Sequence, residues 1–258
     1  NYINYYLLSQ NLIMLNKKKK AIDILKKIPL DSYVGWNSYL KIADININLN
    51  NYQEAEKYIL KLKKLSSDRV DAHYKLGEIY HNKKEYDQAT FSFTKAINLL
   101  KKSTEENWYL YYSRGMSYER SKKWKSAEKD FLYALKLSPQ QPLVLNYLGY
   151  TWIDYGVKLK EAEDYIRQAI KLRPKDGYFI DSLGWAYYRQ GKYDLAVVEL
   201  ERAVALIPND PIINDHLGDA LFRAGYQNEA KYQWNRALLY EPEKSLRENI
   251  EFKLKKGL

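Results

Sequence analysis

The sequence predicts an all-α protein built as a solenoid, in which pairs of short helices stack side by side. The main observation is a pattern that recurs seven times in 258 residues. Gly184 and Ala196 in one copy return as Gly218 and Ala230 in the next, about 34 residues further on. A period of this length is typical of repeat proteins whose units cannot bury their apolar faces alone and stack to form a continuous core.

Three columns of small residues explain how each helix pair is held together. With Gly184 numbered as position 8 of its repeat, positions 8 and 27 are mostly small, and position 20 is alanine in all seven copies. Positions 4, 7, 8 and 11 share one helix face, and positions 20, 24 and 27 share another. Small residues let the two helices approach, and large ones fill the space between repeats. The predicted repeats are 2–35, 36–69, 70–103, 108–141, 142–176, 177–210 and 211–244.

Local signals place the ends of the helices. Proline at position 32 cannot continue the second helix of a repeat, and Pro211 fits the first turn of a helix that Asp210 caps. One additional residue near Lys158 is expected in the turn between two helices, and residues 104–107 are expected to form a short inserted connection. Residues 245–258 carry apolar side chains spaced by four, which predicts a capping helix on the last repeat.

This pattern resembles the tetratricopeptide repeat family, whose motif is W-x2-L-G-x2-Y, then A-x3-F, then A and P. The resemblance covers residues 2–244 and is stronger from residue 70 onward, because Gly and Pro are missing from the first two repeats. It implies one domain over 1–258, a right-handed superhelical solenoid of seven helix-turn-helix repeats with the capping helix 245–258.

Composition limits the classes of function. The absence of cysteine excludes disulfides and cysteine–zinc sites. No apolar stretch is long enough to predict a membrane span. Residues 1–141 contain 25 lysines and arginines against 15 acidic residues, whereas the rest of the chain is balanced. A basic half could bind nucleic acid or an anionic surface. However, a general enrichment in Lys, Asn, Ile and Tyr explains the excess better, and arginine, which nucleic-acid readers prefer, is scarce there. Lysines 17–20 are expected to be solvated in a turn.

No catalytic constellation is recognisable, so we predict a protein that is not an enzyme and needs neither cofactor nor metal. His73, His81 and His216 lack metal-ligand spacing, and His73 occupies a core position. No phosphate-binding glycine loop or G-x-S-x-G motif is present. The one catalytic alternative is a hydrolase that uses the carboxylates of Asp181, Asp215 and Asp219. Against it stands the interpretation that these residues form a solvated or ligand-facing acidic strip.

A binding groove is predicted on the first helix of each repeat, at positions 2, 5, 9 and 12. In the later repeats these positions hold mostly aromatic residues together with a few aspartates. Large aromatic side chains give contact area at low entropic cost. Only Lys41 and Lys75 supply cations at position 6, so a neutral or basic partner segment is expected rather than a peptide carboxylate. The predicted peptide-binding residues are Tyr112, Asn146, Tyr150, Asp181, Trp185, Tyr188, Asp215, Asp219 and Phe222.

The strings at 145–156, 181–197 and 214–225 carry a narrower resemblance, to bacterial exported repeat proteins. That group includes an outer-membrane lipoprotein that serves as adaptor for a carboxy-terminal processing protease. The resemblance implies an adaptor for a protein or extended peptide, a protease or its substrates included, in the periplasm and possibly anchored to the outer membrane by a lipid outside this chain. A cytoplasmic scaffold is the alternative. The chain begins at Asn1 inside a repeat, so further sequence upstream is expected.

Overall fold

The computed structural model describes all of residues 1–258, and its elements confirm the all-α prediction. It contains fifteen α-helices and one 3₁₀ helix, with no strand. The chain divides into two compact units, Asn1–Ser138 and Pro139–Leu258, which we call unit 1 and unit 2 and describe separately. None of the helices combines the length and the apolar character that crossing a membrane requires.

Unit 1 is formed by four helix pairs, in which each helix packs on its successor. The inserted connection predicted at 104–107 is a 3₁₀ helix, Glu105–Asn107, fixed by a bond from the Thr104 amide to Asn107 Oδ1 of 2.9 Å. The helices are α1 (Tyr2–Met14), α2 (Lys18–Leu25), α3 (Gly35–Ile47), α4 (Tyr52–Leu65), α5 (Val70–Asn82), α6 (Tyr86–Asn98), α7 (Trp108–Arg120) and α8 (Trp124–Leu137).

Unit 2 is formed by three helix pairs and a last helix. The Asp210 side chain accepts hydrogen bonds from the amides of Ile212 and Ile213, as expected for the N-cap of a helix that begins at Pro211. The predicted insertion at Lys158 lies in the turn before α10, where that residue is left-handed. The helices are α9 (Pro142–Tyr155), α10 (Leu159–Leu172), α11 (Gly177–Arg189), α12 (Tyr193–Leu206), α13 (Pro211–Arg223), α14 (Gln227–Leu239) and α15 (Lys244–Lys256).

The close approach predicted between the helices of a pair is present. A Cβ added at Gly218 would lie 2.4 Å from Trp234, and one at Gly184 would lie 2.5 Å from Leu200. Position 8 must therefore be small because the large residue at position 24 packs directly on it. Every alanine at position 20 is fully buried. In the first two repeats Ser9 and Ala43 replace glycine and are also fully buried, so the packing is preserved.

The structure corrects the placement of lysines 17–20. Only Lys17 lies in the turn, because α2 already begins at Lys18, and its first turn contains no acidic residue. In α1, the only buried residue is Ser9. At the other end, Ile250 of α15 is fully buried, as the capping-helix prediction requires. The single domain over 1–258 and its seven repeat bounds stay predictions.

Candidate functional site

The predicted binding residues lie on the first helix of their pairs. Tyr112 belongs to α7 in unit 1, and the other eight belong to α9, α11 and α13 in unit 2. Tyr112 is half-buried, with its ring centroid 5.9 Å from that of Trp108 and 6.1 Å from that of Phe131. Burial raises the pKa of Tyr112 to about 12. Its ring is therefore a packing element of α7 and α8 as much as an exposed contact.

Helices α11 and α13 are joined by a buried ion pair beside an aromatic stack. Asp181 Oδ1 lies 2.9 Å from His216 Nδ1, and both residues are buried. The imidazole stacks on the Trp185 indole, with ring centroids 4.2 Å apart and an interplanar angle of 15°. The same indole stacks on the Tyr188 ring at 4.7 Å and 10°. Three predicted site residues are thus assembled around a histidine for which the sequence suggested no role.

The charge of His216 follows from its surroundings. Desolvation by burial acts to lower the pKa of its imidazole, but the carboxylate and hydrogen bond of Asp181, with the charges of Asp215 and Asp219, outweigh it and raise that pKa above 6.5. Asp181 therefore favours the protonated imidazole, in which Nδ1 donates to the carboxylate. The arrangement holds the Trp185 indole by both charge and stacking.

A second buried ionic cluster joins α13 to α15. Lys253 Nζ lies 2.9 Å from both carboxylate oxygens of Asp215, and 2.7 and 2.8 Å from those of Asp219. Asp219 Oδ1 also accepts from the Trp234 indole at 2.9 Å. Desolvation by burial acts to lower the pKa of the Lys253 ammonium, but the two carboxylates raise it above its usual value. Burial, and then the neighbouring Asp219 charge, raise the pKa of Asp215.

The alternative in which the three aspartates form a solvated strip is therefore wrong. Asp181, Asp215 and Asp219 are only 5–6 % exposed. Buried carboxylates require hydrogen-bonded cationic partners, and His216 and Lys253 supply them from within the chain. The carboxylate pair that the hydrolase alternative needs is thus bound by an ammonium group. In the whole chain no group of three or more His, Asp or Glu side chains is placed to hold a metal ion.

The remaining predicted residues lie at the edges of this cluster. Phe222 is half-buried, with its ring 5.5 Å from that of Trp234, and a Cβ at Gly257 would lie 2.8 Å from its ring. On α9, Tyr150 is half-buried, and Asn146 has a buried Oδ1 that accepts no hydrogen bond. That oxygen has almost no accessible surface, so it is a buried acceptor without a donor and not a contact open to a partner.

A cavity of 630 Å³ opens between three helices, namely α13, α15 and the face of α11 that carries Trp185. This volume is within the range that accommodates a small ligand or a few side chains. Its walls combine aromatic and charged groups, and they are Trp185, Asp215, His216, Asp219, Asn249, Phe252, Lys253, Gly257 and Leu258. The predicted aromatic residue Trp185 thus borders open space, and Asp215 and Asp219 are among the polar residues of the wall.

In unit 1 the two lysines at position 6 are already engaged. Lys75 Nζ lies 2.7 Å from Asp44 Oδ1 and 2.6 Å from Glu78 Oε2. Lys41 Nζ is 3.9 Å from Asp44 Oδ2. Burial acts to lower the pKa of Lys75, but the two acidic neighbours raise it well above its usual value. These side chains therefore form an internal network in which Lys75 is shared by two carboxylates.

Sequence reasoning missed His216 and Lys253 as members of the site. A signal for Lys253 was present, because it follows the buried Ile250 by three residues and so shares its helix face. The i, i+4 spacing of Asp215 and Asp219 places two carboxylates side by side on one helix face. On a buried face such a pair implies a cation nearby. His216 stands at position 6, next to the aspartate column at position 5, which could have suggested the pair with Asp181.

Solved structures with the same fold come from several sources. The Cut9 and Hcn1 hetero-tetramer of APC/C matches with a TM-score of 0.76 at 20% identity, over 100% of this chain and 46% of that chain. A tetratricopeptide repeat protein from Parabacteroides merdae matches with a TM-score of 0.75 at 16% identity, over 98% and 97% of the two chains. Pseudomonas aeruginosa pilF matches with a TM-score of 0.68 at 15% identity, over 86% and 97%. At these identities the likeness concerns the fold alone.

Two curated proteins are similar to parts of the sequence. TPR repeat-containing protein PA4667 of Pseudomonas aeruginosa is 29% identical over 154 residues, which is 59% of this chain and 25% of that protein. Human tetratricopeptide repeat protein 13 is 32% identical over 145 residues, which is 54% of this chain and 16% of that protein. The matched segments thus span a quarter or less of the length of these relatives.

A family model matches nearly the whole chain. It is described as the Cilia and flagella-associated protein 70 C-terminal domain, and it covers residues 6–250. Its span includes every helix pair and most of α15. Together with the helix pairs, the glycine and alanine contacts and the structural neighbours, this match shows that the chain belongs to the tetratricopeptide repeat family represented by the Cilia and flagella-associated protein 70 C-terminal domain.

Proposed function

We propose that this protein is a non-catalytic scaffold that holds a partner protein or extended peptide against the first-helix face of unit 2, with Trp185 as the anchor. Tetratricopeptide repeat proteins generally mediate protein–protein interactions as scaffolds, and the family is typically non-enzymatic. The proposal adds to this general role a particular surface, the one formed by α9, α11 and the cavity beside α13.

The observation that carries the proposal is the fixed position of the Trp185 ring. Its indole stacks on both His216 and Tyr188, and its Nε1 lies 3.4 Å from Asp154 Oδ1. The ring is nevertheless only half-buried and borders the 630 Å³ cavity. An aromatic side chain that is immobilised before binding loses little entropy when a partner covers it, which is the property of an interface hot spot.

The chemistry of the surface favours a neutral or basic partner segment. In the buried cluster three carboxylates face two cationic partners, His216 and Lys253. Asp154 is half-exposed, and Arg189, 3.7 Å away, offsets its charge. The exposed Tyr178 extends the face with a hydroxyl that can bond a peptide backbone. An aromatic or lysine side chain would therefore fit beside Trp185 better than a carboxylate.

For the location we propose the bacterial cell envelope. The support is the resemblance of the last repeats to exported bacterial adaptors, together with the fold shared with pilF and with PilW, a type IV pilus biogenesis factor. A partner in that compartment could be a processing protease or one of its substrates, as that resemblance implies.

The surface can be tested with a phage-displayed library of random linear peptides as the probe. The protein is compared with a Trp185→Ala, Tyr188→Ala double variant. A Tyr226→Ala, Tyr232→Ala variant is the matched control, because it removes two exposed aromatic residues from another part of unit 2. We expect the selected peptides to be neutral or basic and to bind the first variant at least tenfold more weakly, since hot-spot aromatics contribute about 2 kcal/mol or more. The control should bind within about twofold of the wild type.

Helical content measured by circular dichroism must be unchanged in both variants for the comparison to be valid. Selected peptides that bind the Trp185 variant and the control equally well would contradict the assignment of this face. Selection of strongly acidic peptides would contradict the charge preference while leaving the face in place.

A further inference from the structure

The connection between α1 and α2 in unit 1 is an exposed tip that combines apolar and basic side chains. It consists of Met14 and Leu15 at the end of α1, followed by the lysines at 17–20, and we call it the α1–α2 tip. Met14 is 84% exposed and Leu15 is 63% exposed. Exposure of large apolar side chains to water costs free energy. Two adjacent ones beside a basic run therefore indicate a surface that something covers.

The repeat pattern does not account for Met14. It occupies position 13 of its repeat, and the same position in the rest of unit 1 is polar, with Asn48, Asn82 and Arg120. Those residues lie at the ends of their helices, half-buried or exposed. A methionine at this position therefore contributes nothing to the packing that defines the repeat.

The four lysines have little negative charge beside them, since Asp23 is the one carboxylate in α2. None of them forms an ion pair, and three stand in the first turn of α2, where no acidic residue is present. Positive charge at the start of a helix is opposed by the helix dipole, so the arrangement costs free energy unless an anion is bound. The lysines also line a cavity of 540 Å³, together with Asn16 and Leu49. This recess is open to solvent and large enough for a phosphate-bearing headgroup.

We propose that the α1–α2 tip docks on the surface of an anionic lipid bilayer. In this arrangement Met14 and Leu15 enter the boundary between headgroups and acyl chains, and the lysines contact the lipid phosphates at the surface of the bilayer. Peripheral proteins bind membranes by this combination of a shallow apolar insertion and a basic cluster. It requires no membrane-spanning helix, and it does not depend on the peptide surface of unit 2.

A bilayer suits the tip better than a nucleic acid does. The tip contains no arginine, the side chain that forms bidentate contacts with phosphates and bases, and no aromatic ring on which a base could stack. Two protruding aliphatic side chains have no complementary group on a phosphate backbone, whereas a bilayer offers them an apolar layer. The paired features therefore point to lipid.

Sedimentation with vesicles tests the proposal with the whole chain. The vesicles are phosphatidylcholine with about one-third phosphatidylglycerol, and pure phosphatidylcholine serves as the uncharged reference. One variant carries Lys17→Gln, Lys18→Gln, Lys19→Gln and Lys20→Gln, and a second carries Met14→Ser and Leu15→Ser. The matched control carries the same loss of four charges at exposed lysines elsewhere in unit 1, namely Lys64→Gln, Lys101→Gln, Lys102→Gln and Lys125→Gln.

We expect binding to the anionic vesicles only. The affinity should fall at least tenfold in the tip-lysine variant, because each lysine near an anionic surface is worth roughly a fivefold change. It should fall roughly tenfold in the Met14 and Leu15 variant, through loss of apolar burial. The control should change much less, because its lysines do not lie in the tip. All the substituted side chains are at the surface, and circular dichroism should show unchanged helical content.

Several results would overturn the proposal. Equal losses in the tip-lysine variant and the control would show that only the total charge matters. Unchanged vesicle binding by the Met14 and Leu15 variant would remove the apolar contact. Absence of vesicle binding, with a duplex oligonucleotide bound through the same lysines, would identify the tip as a nucleic-acid surface instead.

Discussion

Both units contain a lysine held between two carboxylates, but the two clusters are constructed differently. In unit 1, Lys75 at position 6 contacts Asp44 and Glu78, which both stand at position 9 of successive repeats, and the three side chains are 21–29% exposed. In unit 2, Lys253 comes from the helix after the last repeat and contacts Asp215 and Asp219 on α13, and the three side chains are only 7–8% exposed.

The difference shows which polar contacts are a product of repetition. A cluster made from equivalent positions of neighbouring repeats remains near solvent, because those positions line the open face of the first helices. A cluster completed by a helix outside the repeats can be covered, because that helix lies over it. Coulombic interactions strengthen as water is excluded, and so does the penalty for an unpaired charge. The unit 2 cluster should therefore be the more important one for stability.

The largest expected effect follows from removing the buried cation. In a Lys253→Met variant, Asp215 and Asp219 are left adjacent and without a counter-charge, which should lower the free energy of unfolding by about 3–5 kcal/mol. Urea-induced unfolding followed by circular dichroism measures this loss. Lys255→Met, an exposed site on the same helix, is the matched control and should change the stability by less than about 0.5 kcal/mol.

A triple variant separates the charge from the packing. Asp215→Asn and Asp219→Asn, added to Lys253→Met, remove the unpaired charges, so much of the lost stability should return. If the triple variant is no more stable than Lys253→Met alone, the loss comes from the docking of α15 and not from the carboxylates.

The buried His216 and the half-buried His81 should show opposite pH dependence. Burial acts to lower the pKa of His216 but Asp181 raises it, so its contribution to stability is fully present below pH 6.5 and is lost as the pH rises through the higher folded pKa. For His81 in unit 1, burial and then Arg120 lower the pKa. Its contribution is therefore present above pH 6.5 and is lost as the pH falls through the lower folded pKa.

Unfolding of His216→Gln and His81→Gln, measured across this pH range, checks the signs. The deficit of His216→Gln should grow to about 1–3 kcal/mol as the pH falls to 6.5, because the carboxylate of Asp181 then lacks its charged partner. The deficit of His81→Gln should shrink as the pH falls below 6.5. If the stability deficits of the two variants changed with pH in the same direction, the opposite pKa shifts assigned to His216 and His81 would be wrong.

The smallest effect is expected for the half-exposed cluster of unit 1. Lys75→Met leaves Asp44 and Glu78 accessible to water, so the free energy of unfolding should fall by no more than about 1 kcal/mol. The same urea experiment measures it, and added salt should reduce the difference further. A loss as large as that of Lys253→Met would mean that the origin of the cation makes no difference to the energetics.

The parts of the fold that depend on neighbouring segments were predictable from sequence. The contact between Gly218 and Trp234 repeats the contact between Gly184 and Leu200, because the same residue sizes return at the same positions. The cap at Asp210 and the turn at Lys158 follow from local backbone preferences. Of the candidate site, the aromatic members Trp185 and Tyr188 were identified by position, but the charge state and accessibility of the aspartates were not.

The sequence by itself determined the helix pairs and the close approach within each pair, since these depend on side-chain size and backbone geometry over a few tens of residues. Only the tertiary structure decided that Lys253 meets Asp215 and Asp219, and that His216 meets Asp181 and Trp185. The physical reason is that a buried charge takes whichever partner the packing brings within hydrogen-bond distance. For Lys253, that packing is set by the burial of Ile250 in α15, outside the repeating pattern.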